Sequence, residues 1–554
     1  MPSVEEVQAQ LTGLGGYFEI VVEEVLGEKL PVFKNRARSL REMLQGSERH
    51  DGKEHLVLGD RRIRFEELRE LVGSTAVALQ ERHGIGKGDR VAILAANSPE
   101  WLIAFWATVS LGGIVSALNG WWTADEIRFG VELSEPKLLI ADRRRVERIA
   151  GSDLGTPILE IESEFAELER HAPDAALPDF PIAEDDPAVI LFTSGTTGRP
   201  KGAVASHRGI VGFTSQQIAR GAIMAVASGV LPGPDAPQHC ALATAPLFHM
   251  SGLYALGAMN MLTGGKLIFR QGRFDAGDVL RLIEEEKVTQ WTPFGSMLHR
   301  VVEHPDIETR DLSTMRNTGF GGAPASENVQ AKARTAFPSA SDNLGIGYGS
   351  SEAVGVVSQI TGEEFEAHPT SVGRPTITMQ VEIRDAAGNV LPEPQEGEIF
   401  VRSAYTILEY WRNPEATAKT LLPGRWLASG DIGRFEDGRL YINSRARDLI
   451  LRAGENVYPV EIENRLDSHP DVAEVAVVGV DHAELGQEVK AILVPVPGAA
   501  IDTEALARWC GETLATFKIP SRWEIRNERL PRNAVGKVLK NVLTGEAKQQ
   551  FVEE

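Results

Sequence analysis

Apolar residues recur along the chain in two rhythms, and the alternation between them is the first structural signal. Residues 64–83 place Leu68, Leu71, Val72, Ala76 and Leu79 at the three- and four-residue spacing of one helix face. A Gly-rich turn at 84–88 and an apolar run at 90–95 follow, the pattern of a strand buried on both faces. The alternation returns with strands at 137–141, 189–192, 266–270 and 288–291 and a helix at 276–286, preceded by a strand pair at 53–64. From about Gly373 the rhythm changes to short strands separated by turn residues, Ala387-Gly388-Asn389, Glu396-Gly397 and Asp437-Gly438. After Arg445–Asp448 a helix opening on a proline (459–466), strands at 472–480 and 489–496 and a capped helix at 502–514 predict a separate α+β unit of about 100 residues. The whole reads as an α/β protein with helices covering parallel sheets, then a β-rich stretch, then that α+β unit.

One segment imitates a membrane span: the 24 positions 101–124 carry no charge. Gly112-Gly113 and Asn119-Gly120 interrupt it, so a buried helix (101–111), a Gly turn and a short strand are predicted in place of a bilayer helix. The first thirty residues carry acidic pairs, Glu5-Glu6 and Glu23-Glu24, and no basic stretch before an apolar one, which is not a secretory signal. The chain has 554 residues, 42% of them hydrophobic and 24% charged, a composition with ample material for a core. Lys+Arg number 57 against 78 Asp+Glu, a net charge of -21, so no nucleic-acid partner is expected; a local basic pocket for one small anion is still compatible. Two cysteines, Cys240 and Cys510, exclude a disulfide scaffold or thiolate zinc site and fit a reducing, cytoplasmic setting.

The densest chemistry lies at Leu191-Phe192-Thr193-Ser194-Gly195-Thr196-Thr197-Gly198-Arg199-Pro200-Lys201-Gly202. An apolar strand runs into a turn in which Gly195 and Gly198 let successive N–H groups face one anion, while four hydroxyls and Lys201 add donors. It is not a Walker A loop, which requires Gly-x4-Gly-Lys-Ser/Thr. The bland alternative is a polar surface turn.

This segment resembles the AMP-forming adenylate synthetase superfamily: acyl-CoA synthetases, luciferases and the adenylation domains of peptide synthetases. The resemblance covers nearly the whole chain, because further motifs stand in the family's order. It implies a large N-terminal domain (1–446) of two α/β sheet subdomains plus a β-rich subdomain, then a small mobile α+β C-terminal domain (447–554). In Gly347-Tyr348-Gly349-Ser350-Ser351-Glu352 it assigns Tyr348 to adenine, the Ser351 hydroxyl (Thr in relatives) to phosphate and Glu352 to Mg2+, which prefers hard oxygen ligands. Gly321-Gly322-Ala323-Pro324 resembles the turn that meets adenine and the acyl group. Asp431, in Ser429-Gly430-Asp431, would accept the ribose hydroxyls, and Arg445 would contact the ribose, with Ser444 where relatives carry Asp. Arg447 falls at the hinge position, Gly454 in the loop beside the pantetheine tunnel, and Lys537 at the terminal catalytic lysine. His249, in Pro246-Leu247-Phe248-His249-Met250, would lie beside the carboxylate substrate. The stretch 241–262 around it has no Asp, Glu, Lys or Arg, so an α-amine would find no partner and an acid without one is expected.

The implied activity is an ATP-dependent acyl-CoA synthetase for a hydrophobic carboxylic acid, a fatty acid foremost. ATP, Mg2+ and CoA are its expected partners, and a homodimer is compatible. A carboxylate near pH 7 is already ionised and needs no general base; the difficulty is bringing it onto a phosphate, so catalysis rests on positioning and charge neutralisation. Glu352 with Mg2+, Thr193, Lys201 and Lys537 are the expected neutralisers. Loading a carrier protein, a luciferase-type oxidation, or a silent nucleotide-binding role are the competing readings. Leu253, Trp291, Phe294 and Met297 are candidate walls of the acid pocket, or ordinary core.

Overall fold

The computed structural model describes residues 2–193, 199–229, 236–293, 297–320, 327–445, 448–453, 455–482, 484–533 and 536–546. Three sheets of five or more strands organise them. In the first, Glu409–Tyr410, Lys201–Ser206, Pro187–Thr193, Ile114–Ala117, Arg90–Leu94, Leu138–Ala141 and Ile158–Glu160 lie side by side in that order. The last five are parallel and, apart from the buried Ser116, apolar in their middles, as expected where helices cover both faces. Helix Phe65–His83 supplies one cover and ends on Gly84 at φ 63, a left-handed stop that glycine adopts without strain.

Helix Pro99–Ser110 is the hydrophobic segment that resembled a membrane span. Ser98 caps it, its side chain accepting from the Trp101 N–H, and Pro99 occupies the first turn, where its missing N–H costs nothing. Every residue except Glu100 is buried, with Trp101, Phe105 and Trp106 among the largest sealed side chains. Truncating any one of them to alanine should cost about 3–5 kcal/mol. Gly112 turns the chain at φ 70 into strand Ile114–Ala117. No helix among the described residues is long and apolar enough to cross a membrane.

The second sheet is fourteen-stranded. Its parallel part contains Glu54–Leu58, Lys266–Phe269, Cys240–Ala243, Gln290–Trp291, Asn317–Phe320 and Gly345–Ser350, so the strand pair read at 53–64 forms its edge. The β-rich stretch is not a detached body. It continues the same sheet, because Gly355–Thr361 pairs with Ser371–Pro375 (Gln359 opposite Arg374) and that strand pairs with Arg439–Arg445. Asp437 (φ 51) and Gly438 (φ 71) make the predicted two-residue hairpin. Glu396-Gly397 is not a turn: Gly397 begins strand Gly397–Arg402, and a Cβ there would sit 2.3 Å from the Arg384 carbonyl oxygen, so close strand approach explains the glycine.

The C-terminal part has its own five-stranded sheet, built on Val472–His482, Gly486–Pro495, Ile450–Arg452, Glu455–Val457 and Arg522–Ile525. Helices Pro459–Asp467 and Thr503–Gly511 pack on it through Ile462, Leu466, Leu506 and Cys510, and Asp502 caps the second by accepting from Glu504 and Ala505 N–H. Tyr458 donates across to Glu396 Oε2 at 2.5 Å, tying this part to the second sheet. Cys240, in a strand of the second sheet, and Cys510, in helix Thr503–Gly511, are buried free thiols.

Candidate functional site

Several of the described residues singled out in the sequence stand at or just beyond the carboxyl ends of strands with parallel neighbours. Pro187–Thr193 runs into the hydroxyl-rich turn, Cys240–Ala243 into the His249 loop and Gly345–Ser350 into Ser351-Glu352. Open α/β sheets bind ligands there because strand ends leave a crevice between crossover connections. Asn97, after strand Arg90–Leu94, joins the two large sheets at this end. Its Nδ2 donates to Ala245 O (2.8 Å) and its Oδ1 accepts from Leu247 N–H (2.8 Å), which fixes the approach to His249.

The turn itself is a hairpin. Thr193 pairs with Lys201 in antiparallel register, so its two ends are held together. Ser194, Gly195, Thr196, Thr197 and Gly198 lie outside the described residues, as do Gly322 and Ala323, Arg447, Gly454 and Phe294. Glycine is required at Gly202, where a Cβ would meet Ile190 Cγ2 at 2.7 Å.

Lys201, half-buried, meets no carboxylate directly among the described residues. Its Nζ lies 5.2 Å from the centre of the Tyr410 ring. Tyr410 is buried, and its hydroxyl donates to Glu352 Oε1 at 2.7 Å. The strand Glu409–Tyr410 pairs with Lys201–Ser206, Ala203 opposite Tyr410, and Trp411 N–H donates to Gly202 O at 2.7 Å. Burial, and then the Glu352 charge, raise the Tyr410 phenol far above its usual range, so it stays a donor at any working pH. Sequence reading missed Tyr410; its proximity arises from strand pairing and has no local signature.

Tyr348, at the middle of Gly345–Ser350, donates to Asp431 Oδ2 at 2.7 Å. Asp431 is buried and stands opposite Arg445 in the register of the antiparallel pair Trp426–Glu436 and Arg439–Arg445. The aromatic ring and the carboxylate assigned to adenosine are therefore adjacent. Gly349 is exposed on the same strand, and a Cβ on it would strike Gly355 O at 2.1 Å, so the hairpin leading to Ser351 and Glu352 closes only around glycine.

His249 keeps accessible surface while burial drives its pKa down to about 4, which makes it a neutral imidazole. Its Nδ1 lies 2.7 Å from Ser251 Oγ and accepts from the Ser251 N–H (3.4 Å), leaving the proton on Nε2. Leu253 is fully buried, and Trp291 is sealed with its Nε1–H donated to Thr244 Oγ1 (3.0 Å), so both are core rather than pocket wall; Met297 is half-buried. Lys537, half-buried, sits in a tight turn of the C-terminal part: its N–H donates to Asn533 Oδ1 (2.9 Å), its carbonyl accepts from Asn533 N–H (2.8 Å), and Arg532 bridges Gly536 O (2.8 Å) and Glu474 (3.0 Å).

A model of the AMP-binding enzyme family matches residues 44–411, and one of the AMP-binding enzyme C-terminal domain matches 461–537. The chain belongs to the AMP-binding enzymes. It is 32% identical over 495 residues to a feruloyl-CoA synthase from Amycolatopsis sp, covering 89% of this chain and 95% of that one. It is 31% identical over 490 residues to the long-chain-fatty-acid–CoA ligase FadD13 of Mycobacterium tuberculosis, covering 87% and 93%. The crystal structure of ATP-bound MatB from Rhodopseudomonas palustris superposes with a TM-score of 0.79 at 28% identity, covering 92% of this chain and 99% of that one. This AMP-binding enzyme is an AMP-forming acid–thiol ligase that uses ATP, Mg2+ and CoA. The residues fit the metal: among the described residues Glu352 Oε2 accepts no bond, and no trio of His, Cys, Asp and Glu side chains converges anywhere. A hard cation at Glu352 would complete its shell with phosphate and water oxygens.

Proposed function

We propose that the enzyme activates a hydrophobic carboxylic acid without an α-amine, an aliphatic acid foremost, as an acyl-adenylate and transfers it to CoA. The observation that carries the site assignment is the arrangement of Lys201, Tyr410 and Glu352 beside the Thr193 hairpin: a cation over the face of one ring and a metal-competent carboxylate at its hydroxyl. In the first half-reaction an acid oxygen attacks the innermost phosphorus of ATP, and the bond to pyrophosphate breaks. Thr193, Lys201 and the turn between them hold the leaving phosphates. Glu352 would hold Mg2+, which would supply charge neutralisation there. Tyr348, Asp431 and Arg445 hold the adenosine, while the neutral His249 donates Nε2–H toward the acid and so adds no counter-charge to it. In the second half-reaction the CoA sulfur bonds to the acyl carbon, AMP leaves with the bond's electrons, and the thiol proton passes to solvent.

Lys537 lies in the unit from 447 onward, and rotation of that unit about Arg447 would exchange Lys537 for the thiol-binding loop at Gly454. The uncharged stretch 241–262 supports exclusion of an amino acid, and the relatives' printed substrates, aromatic and aliphatic alike, support an apolar acid. The test is ATP–pyrophosphate exchange over a panel of aliphatic, aromatic and amino acids, repeated with CoA and thioester detection. Exchange driven best by an amino acid would refute the reading of the acid, and exchange without thioester would refute the transfer step.

A further inference from the structure

Two residues around Glu352 hold backbone conformations that glycine adopts without strain and other residues do not. Val354, two positions after Glu352 and fully buried, has φ 53. Arg425, at the entrance to the strand Trp426–Glu436 that carries Asp431, has φ 60 directly after Gly424 at φ 78. Strain of this kind persists only where the surrounding contacts over-determine it. Those contacts converge on one peptide group. Residues 403–407 are buried throughout yet form neither strand nor helix, so their backbone groups need partners from elsewhere. The Thr406 carbonyl accepts from Arg425 Nη2 at 3.1 Å, and on the opposite side of the same peptide the Ile407 N–H donates to the Glu352 carbonyl at 3.0 Å. The same Nη2 reaches Thr406 Oγ1 (2.9 Å) and Ile407 O (3.1 Å). Three residues on, Tyr410 donates to the Glu352 carboxylate.

One stretch, 406–410, thus holds Glu352 by its main chain and by its side chain, and Arg425 anchors that stretch from the other side. A peptide that accepts from a cation is polarised, and its N–H becomes the stronger donor. Among the described residues the Arg425 guanidinium bonds only to neutral oxygens. Asp185 and Glu28, the acids that act on it through space, are bonded to Arg208 (2.6 Å) and Arg402 (3.2 Å). Its Nε is buried without an acceptor among the described residues. A left-handed backbone and an unmatched buried N–H are both unfavourable, so the three contacts of Nη2 are what outweighs them. Were the Ile407 N–H to lose its hold, the turn strained at Val354 could relax and carry the Glu352 carboxylate away from Tyr410.

We propose that Arg425 is a positioning residue for the metal-binding carboxylate: through the Thr406–Ile407 peptide it fixes Glu352 relative to the strand that carries Asp431. This rests on the assignment of Mg2+ to Glu352 above and adds a residue to it. The test is titration calorimetry of the full chain with a non-hydrolysable ATP analogue, with and without Mg2+, alongside melting temperatures. It is run on the native protein, Arg425→Gly, Arg425→Met and Arg425→Lys. Arg425→Gly removes the guanidinium and relieves the left-handed strain, whereas Arg425→Met removes the guanidinium and keeps the strain. Both should lower affinity for the magnesium complex about tenfold, the range of one hydrogen bond to a charged group, and metal-free affinity by less than about twofold. That loss should be the same whichever way the two melting temperatures move, and Arg425→Lys should recover part of it. Native affinity for the magnesium complex in Arg425→Gly, or a loss that follows melting temperature across the variants, would reduce Arg425 to a structural role and overturn the proposal. An equal loss with and without Mg2+ would place its effect on the adenosine side alone and overturn it too. If Mg2+ adds nothing to the affinity of the native protein, the metal assignment of Glu352 falls first, and this one with it.

Discussion

Tyr410→Phe is the sharpest probe of the site. It keeps the ring under Lys201 and deletes only the hydroxyl that holds Glu352 Oε1 at 2.7 Å. A hydrogen bond to a charged group is worth about 1.5–3 kcal/mol. Against it stands the attraction between the Lys201 ammonium and the Glu352 carboxylate. With the cation over the ring face and the carboxylate at its hydroxyl edge they are roughly 7–8 Å apart, worth about 2 kcal/mol at an effective dielectric of ~20; closed to ~4 Å the pair would be worth about 4 kcal/mol. The hydroxyl bond thus matches the gain from collapse, and the phenol acts as a spacer that keeps a cation for phosphate and an anion for Mg2+ from cancelling each other. In Tyr410→Phe the carboxylate is free to swing to Lys201. The expected result is a fall in affinity for the magnesium complex of a non-hydrolysable ATP analogue of about tenfold, measured by titration calorimetry, with a smaller change when magnesium is omitted. Tyr410→Leu, which also removes the ring, should lose more. Native affinity in Tyr410→Phe with and without magnesium would refute the spacer argument.

Lys537→Ala should abolish formation of acyl-AMP from acid and ATP yet leave thioester formation from supplied acyl-AMP largely intact; equal loss in single-turnover assays of both halves would discredit the role given to the lysine. Asp431→Asn keeps the shape but weakens the acceptor beside Tyr348, and ATP affinity should fall by roughly 10-fold, against no change if Asp431 only caps its strand. Burial lowers His55 and His207 from 6.5 to about 4, so the unfolded chain binds more protons between those values and stability falls as pH drops from 6.5 toward 4. Each should cost about 2 kcal/mol by pH 5, visible as a steep loss of melting temperature that His207→Gln makes shallower. Gly349→Ala should destabilise the hairpin ahead of Glu352, because the added Cβ meets Gly355 O at 2.1 Å, and should lower ATP binding more than a surface Gly→Ala such as Gly221→Ala, where nothing lies within 4 Å.

Local chemistry wrote much of this protein into its sequence. The helix Phe65–His83 with its Gly84 stop, the Ser98-Pro99 start of the buried helix, the Asp437-Gly438 hairpin and the Asp502 cap each depend on residues within a few positions of one another, so periodicity and turn chemistry suffice to read them. The phosphate hairpin is legible for the same reason: Thr193 and Lys201 flank one turn and pair across it. What the chain alone does not reveal is lateral order in the sheets. Tyr410 meets Glu352 across 58 positions, and it meets Lys201 only because strand Glu409–Tyr410 adds to the edge of the first sheet. Asn97 joins the two large sheets across 150 positions, a contact with no local signature. Gly397 misled the reading because a glycine forced by a neighbouring strand's carbonyl looks, in sequence, like a glycine needed for a turn. Side-chain rhythm records which face of an element is buried but carries no label for the neighbour it is buried against; that choice is made by the packing of the whole chain, and the site is assembled from it.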